Sequence, residues 1–346
     1  MSVSRKPTLV PEWAPQSSIF IAWPNLEGDF APWLQAVEAT YVSIAKAVLD
    51  HEALWVAVRN PEQRQRVESR LKHEGAQVNR LSFIEMPFDD VWVRDTAPLS
   101  LESSGQISLV DFRFNGWGGK YPAEEDAQIA RRLHVGSALS NLPMLSQDFV
   151  LEGGSIETDG HGTLMTTSRC LLNPNRNPQY SKAEIEQILM DQLGVERILW
   201  LDHGYADGDD TDAHVDTLAR FCSSRVIAYT ASERPEDEMH KDFKAMERQL
   251  RDFVDRDGRP YELVPLPMPA PIQGEEGQRL PATYANFLII NGAVLIPVYG
   301  DPMDACILKR MAEVFPDRRL IPIDCVPLIR QYGSLHCMTM QFPLIT

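Results

Sequence analysis

Cysteine is scarce: five in 346 residues, an odd number with no CxxC pair. That scarcity excludes a disulfide framework and a paired-cysteine zinc site, and it predicts at least one free thiol in a reducing compartment. Long apolar runs are missing too. No stretch reaches membrane-spanning length, and residues 1–18, with basic Arg5 and Lys6, lack the apolar run of a signal peptide, so a cytoplasmic location is expected. Positive charge is in deficit. Lys and Arg number 33 against 49 Asp and Glu, a formal charge of −16, which argues against nucleic acid or a membrane surface as partner and permits a small cation. What is present is a 44% hydrophobic composition over a length that can bury a sizeable core.

A recurring order of elements, rather than repeated sequence, organises that length. From residue 151 a strand, the turn Asp159-Gly160-His161-Gly162 and a strand to Thr167 precede a helix over 181–193 and the apolar strand Ile198-Leu199-Trp200-Leu201. Ser181 followed by Glu184 marks a capping box at that helix start. The order recurs from His214, with strands ending at 221 and 230, a helix over 235–254 and a strand over 261–266. It recurs around Asn291-Gly292, a dipeptide suited to a two-residue hairpin, with a helix over 302–315 and a strand over 319–325. An earlier copy has strands over 93–101 and 107–114, a helix near 123–133 and a short strand near Pro143. The fifth is split across the termini, with one strand from 335–342 and the rest from strand 19–23, helix 33–49 and strand 54–58. Five units of about 69 residues suit a ββαβ module, and pairing the terminal strands would close a ring with few open edges. The expected fold is α/β, a five-bladed α/β propeller with pseudo-fivefold symmetry, forming one catalytic domain over 1–346. An open two-domain sheet is the alternative, but no Gly/Ser linker separates two halves.

Equivalent positions in radial repeats converge on the axis. Those opening the first strand of each copy are Asp95, Glu152, His214, Asn286 and Cys337, spaced 57, 62, 72 and 51 residues apart. Taken singly, Cys337 reads as a small buried hydrophobe, Asp95 as half of a surface pair with Arg94, and His214 as a satisfied loop histidine. Their coincidence across all five copies points to chemistry instead. A thiol becomes a nucleophile beside a base or cation, and His214 is the only histidine in the set. Glu152 could orient its ring. Asp95 and Asp216 remain; Asp216, two residues beyond His214, would share its face on a strand. Two carboxylates beside a Cys–His pair are wrong for a developing oxyanion but suit a planar guanidinium, which carboxylates grip bidentately.

At this point the residues resemble a known family. Trp92-Val93-Arg94-Asp95, Phe114-Asn115-Gly116-Trp117-Gly118-Gly119-Lys120, Glu152-Gly153-Gly154-Ser155-Ile156, Cys170-Leu171-Leu172-Asn173-Pro174-Asn175-Arg176-Asn177-Pro178, Asp210-Thr211-Asp212-Ala213-His214-Val215-Asp216, Asn286-Phe287 and Leu335-His336-Cys337 are similar to the motifs of the agmatine deiminases. These belong with bacterial peptidylarginine deiminases in the guanidino-group-modifying pentein superfamily, whose fold is a five-bladed α/β propeller. The resemblance implies Cys337 as nucleophile, His214 as acid and base, Glu152 as its orienting acid, and Asp95 and Asp216 as guanidinium binders. It implies that Trp92 packs on the aliphatic part of the substrate, with Trp117 and Asn286 among the further contacts. The implied reaction converts agmatine and water to N-carbamoylputrescine and ammonia, a step of polyamine biosynthesis, with no metal or organic cofactor, and the implied assembly is a homodimer. Departures stand at Ala213, where Gly is expected, at Thr217, where Asn is expected, and at Gly333-Ser334-Leu335, where Gly-Asn-Ile is expected; Thr217 and Ser334 are expected to border the pocket.

Agmatine carries a second positive charge, and Asp89, Asp90, Asp209 and Asp210 are candidates to meet it. The loop 115–120 lacks the arginine that a carboxylate-bearing substrate would need. An arginine or peptidylarginine deiminase and a cysteine amidase are the rival activities, and a catalytically silent five-bladed binding module is the rival class. Residues 207–212 also resemble a calcium loop, but the spacing breaks the EF-hand pattern. Cys170, Cys222, Cys306 and Cys325 are expected in apolar contexts away from the chemistry.

Overall fold

Five small sheets repeat one plan in the computed structural model, which describes residues 6–345; Arg5 lies outside the described residues. In each, two strands pair antiparallel, and one of them pairs in parallel with a strand that follows a helix. The sheet of Ile156–Thr158, Thr163–Thr167 and Arg197–Leu201 shows it simply, with the helix Lys182–Leu193 as crossover. The expected capping box is present: the Ser181 side chain accepts from the Glu184 backbone while the Glu184 carboxylate accepts from the Ser181 N–H. Ala219–Phe221, Val226–Ala231 and Glu262–Pro267 repeat the pattern, as do Leu288–Ile290, Ala293–Val298 and Arg319–Asp324. Leu99–Ser103, Gln106–Arg113 and Met144–Val150 form a fourth sheet, extended by Thr8–Leu9.

The fifth sheet joins the two ends of the chain. Met340–Pro343 pairs antiparallel with Gln16–Ala22, which pairs in parallel with Ala53–Val58. The closure expected from the pattern is therefore present. Beyond it lie two elements the sequence reading did not name, a helix Pro61–His73 and an edge strand Leu81–Glu85. That helix is mostly polar, so it shows no broad apolar face, yet Asn60 caps it and Pro61 preorganises its first turn.

One difference bears directly on function. The segments expected to open as strands at 93, 151 and 214 instead open as short helical turns, Val93–Thr96, Gly153–Ser155 and Val215–Thr217, and become extended only afterwards. Asp216 thus lies in a turn, not on a strand beside His214. The turns aim the polar residues toward the axis, while the strands behind them bury apolar side chains: Ile19, Phe20, Ile21, Leu54, Val56, Phe287 and Leu295 are all fully enclosed.

Candidate active site

Two of the five repeat positions, Asp95 and His214, converge over Gly154 together with Asp216. A methyl group placed there would lie 2.8 Å from His214 Nδ1, 2.9 Å from Asp95 Oδ1 and 3.1 Å from Asp216 Oδ2, so only a residue without a side chain lets these groups approach. His214 Nδ1 stands 3.6 Å from Asp95 Oδ1. Asp95 is further fixed by the Gly154 N–H on Oδ1 and by the Trp117 indole N–H on Oδ2, each at 2.9 Å. The Cys337 Sγ is 3.8 Å from Asp216 Oδ2 and 3.4 Å from Asn286 Oδ1.

Burial sets the electrostatics. It pushes Asp95 up to about 8, with the neighbouring Asp216 charge adding to the effect. It also pushes the Cys337 thiol well above its usual value, again reinforced by Asp216 and Asp95. His214 is depressed to about 3, chiefly by desolvation, so its ring is neutral. Burial would raise Asp216 as well, but the hydrogen bond and charge of His336, together with the charges of nearby His214 and Arg220, hold this carboxylate below its ordinary range. Among the described residues, Asp216 Oδ1 and both His214 ring nitrogens have no hydrogen-bond partner. A neutral base, one ionised acid and a protonated thiol therefore face one another.

The motifs have the same origin as this geometry. A family model described as Porphyromonas-type peptidyl-arginine deiminase matches residues 8–343. The chain belongs to this family. Within and around the Porphyromonas-type deiminase family, it is 32% identical to an agmatine deiminase of Pseudomonas fluorescens, over 96% of this chain and 94% of that protein. Among solved structures it is similar to a candidate arginine deiminase from Porphyromonas gingivalis, with 48% identity, 98% of both chains covered and a TM-score of 0.91. It is also similar to a C. jejuni agmatine deiminase with substrate bound, at 33% identity and a TM-score of 0.89, over 97% of this chain and 96% of that one.

Several of the expected residues have partners that the motifs did not indicate. Glu152 is fully buried, but its hydrogen-bonded partner is Arg176, not His214: Arg176 Nε donates to both carboxylate oxygens at 2.9 and 3.1 Å. Arg176 also reaches Asp212 at 2.7 Å and the Thr211 carbonyl at 2.9 Å, tying the loop before His214 to the glutamate. Asn286 is enclosed beneath the site rather than exposed to a substrate. Its Oδ1 accepts from the His336 and Cys337 backbone N–H groups at 2.8 and 3.3 Å, so it shapes the nucleophile's turn. Cys170 is not remote: ligand atoms of Cys170, Glu152 and His214 all lie within 4.8 Å of one another. That trio has the chemistry of a metal site, but the Arg176 cation occupies the glutamate.

A cavity of about 460 Å³, open to solvent, leads to Cys337. Trp92, Trp117, Asp90 and Asp210 line it as expected, together with Asp29, Tyr121 and Tyr332, which sequence reasoning did not single out. Asp89 and Asp209 are committed elsewhere, accepting from the Glu125 and Thr211 backbones at 2.8 and 3.2 Å. Thr217 and Ser334 do not line the cavity: Thr217 Oγ1 donates to the His214 carbonyl at 2.9 Å, and the Ser334 hydroxyl meets the Tyr299 hydroxyl at 3.3 Å. Gly333 must stay small, because a methyl there would sit 2.3 Å from the Trp92 ring. Ala213 has φ of 67°, the left-handed region, which explains why glycine was expected at this position. The acids of 207–212 serve as protein contacts rather than a calcium loop: Asp212 pairs with Arg176 and Lys120, and Asp210 with Lys120 and the Tyr121 hydroxyl.

Proposed function

We propose that this protein is an agmatine deiminase, a hydrolase of the guanidinium C–N bond that releases ammonia and N-carbamoylputrescine for polyamine synthesis. The observation that carries the choice of substrate is the cavity lining: among the described residues it includes four aspartates, Asp29, Asp90, Asp95 and Asp210, and no arginine or lysine. A substrate with a guanidinium at one end and an amine at the other matches that lining. Free arginine, which the name of the P. gingivalis relative suggests, would bring a carboxylate to a wall of acids. We further propose that the whole chain acts as one catalytic unit in the cytoplasm, and that it can assemble as a homodimer.

On this reading the substrate activates its own nucleophile. Before binding, burial, reinforced by the neighbouring carboxylate charge, keeps the Cys337 thiol and Asp95 protonated; a guanidinium between Asp95 and Asp216 opposes both effects and favours the two anions. The thiol proton passes to His214 as Sγ bonds to the guanidinium carbon. His214 then returns the proton to the departing nitrogen, the C–N bond breaks, and ammonia leaves a cationic S-alkyl thiouronium. Water attacks that carbon with His214 taking its proton, and the C–S bond breaks to give the neutral ureido product and Cys337. Trp92 packs on the aliphatic part of the substrate, Trp117 flanks its guanidinium end through Asp95, and Asp90 and Asp210 stand where the distal amine arrives.

Ureido formation measured side by side on agmatine, free arginine and a peptide with C-terminal arginine tests the reading. Agmatine should be strongly preferred and Cys337→Ala inactive; a preference for either carboxylate-bearing substrate, or unchanged turnover by Cys337→Ala, overturns it.

A further inference from the structure

Behind the five expected catalytic residues lies a second layer of charge that their roles do not use. His336, immediately before the nucleophile, is 2% exposed and sits between two carboxylates. Its Nδ1 is 2.8 Å from Asp216 Oδ2 and its Nε2 is 2.7 Å from Glu12 Oε2. Neutral imidazole carries one N–H, and an ionised carboxylate can only accept. Both contacts are hydrogen bonds to ionised acids only if the ring is protonated on both nitrogens. The surrounding charges require the same. Arg220, fully buried, bonds Glu12 at 2.7 Å and also Glu157, while Arg94 stands 3.8 Å from Glu12. Two arginines thus face three buried acids, Glu12, Glu157 and Asp216, and a cationic His336 brings the enclosed set to neutrality.

We propose that His336 is a positioning residue, a buried imidazolium braced by Glu12 that holds Asp216 ionised and oriented to receive the guanidinium. The proposal rests on the deiminase reading for its effect on catalysis but not for the charge state itself. It accounts for Asp216 differing from Asp95: the two acids share one site, yet only Asp216 has a cation behind it. Both neighbours of the ring also lie below the ordinary carboxylate range, Glu12 because Arg220 and His336 outweigh its burial. The other charged or titratable groups facing this layer include Asp95, His214 and Cys337 on the substrate side, Arg318 toward Glu12, and Cys222 toward Arg220 and Glu157. Glu12 comes from the amino-terminal segment and His336 from the far end of the chain, so closure of the ring assembles the pair.

Nitrogen-15 NMR of the histidine-labelled full chain reads the charge directly, with His336→Asn identifying the resonances among the eight histidines. Both His336 ring nitrogens should appear protonated at neutral pH, and Glu12→Gln should move them toward a neutral ring. A single protonated nitrogen in the unaltered protein overturns the proposal. Glu12→Gln also covers the case in which His336→Asn fails to fold. For catalysis, His336→Asn should raise KM for agmatine by on the order of tenfold or more, since a charge-assisted contact is lost behind the guanidinium acceptor. A folded variant with unchanged KM refutes positioning even if the ring is cationic. Absence of agmatine turnover in the unaltered enzyme would instead sink the substrate assignment and leave the NMR result standing.

Discussion

Gly154→Ala should separate chemistry from folding with a single methyl group. The residue's backbone is not in the left-handed region, so alanine adds no conformational strain of that kind. What it adds is a carbon 2.8 Å from His214 Nδ1, 2.9 Å from Asp95 Oδ1 and 3.1 Å from Asp216 Oδ2. Non-bonded heavy atoms prefer about 3.5 Å or more, so the three groups must retreat by roughly half an ångström or more between them. Overpacking of this kind costs about 1–3 kcal/mol of stability, a loss of a few degrees in Tm. Misplacing reacting groups by about an ångström costs on the order of a hundredfold in rate. Thermal melting together with ureido formation from agmatine should therefore show a folded protein with kcat/KM reduced by about two orders of magnitude. Gly153→Ala is the contrast, because its methyl would meet the Arg94 carbonyl oxygen at 2.1 Å, a backbone atom that cannot step aside, so folding itself should suffer. A Gly154→Ala enzyme within about twofold of full activity would refute the assignment of His214, Asp95 and Asp216 to one reacting centre.

Two further outcomes follow from the buried charges. Asp95, raised to about 8 chiefly by burial, is mostly protonated at neutral pH, whereas a bound guanidinium calls for the carboxylate. Agmatine binding to Cys337→Ala at pH 7 should thus release a proton from Asp95, a release that vanishes well above pH 8, as read by calorimetry in buffers of different ionisation enthalpy; Asp95→Asn should abolish it. The sign for stability is consistent: a folded value above the unfolded one means that Asp95 favours folding at low pH and that this contribution is lost as pH rises through about 8. Arg176→Gln should cost about 3–5 kcal/mol in a denaturant titration, because it leaves fully buried Glu152 without its cation, and should lower kcat through the loop carrying Asp212 and His214; a loss under about 1 kcal/mol would contradict the importance of that pair.

Local chemistry made much of the fold legible. Ser181 with Glu184 located a helix start, alternating apolar strands gave the hairpins, and a missing strand at one end found its counterpart at the other. The helix Pro61–His73 escaped because only Gln63, Val67 and Leu71 of its residues are buried, too narrow a stripe to stand out among charges. The wound turns at 93, 151 and 214 escaped because their sequences also suit strands; convergence on the axis, a tertiary demand, decides their shape.

The site divides along the same line. Asp95, Glu152, His214, Asn286 and Cys337 are visible because each copy contributes a polar residue at one equivalent place, and Asp216 because it stands two residues beyond His214. Arg176 stood within a quoted motif, and His336 beside the nucleophile, but nothing in spacing distinguishes a surface cation from one enclosed against Glu152, or a loop histidine from a bridge. Glu12 gave no signal at all. It lies 324 residues from His336, and its contacts to Arg220, His336 and the Ile289 N–H arise only when the ring closes. A motif can therefore name the groups that meet the substrate, whereas the charges behind them depend on partners that the fold alone selects. Because a buried carboxylate's ionisation is decided by those partners, two aspartates with the same expected role end in opposite states, Asp95 raised and Asp216 held low.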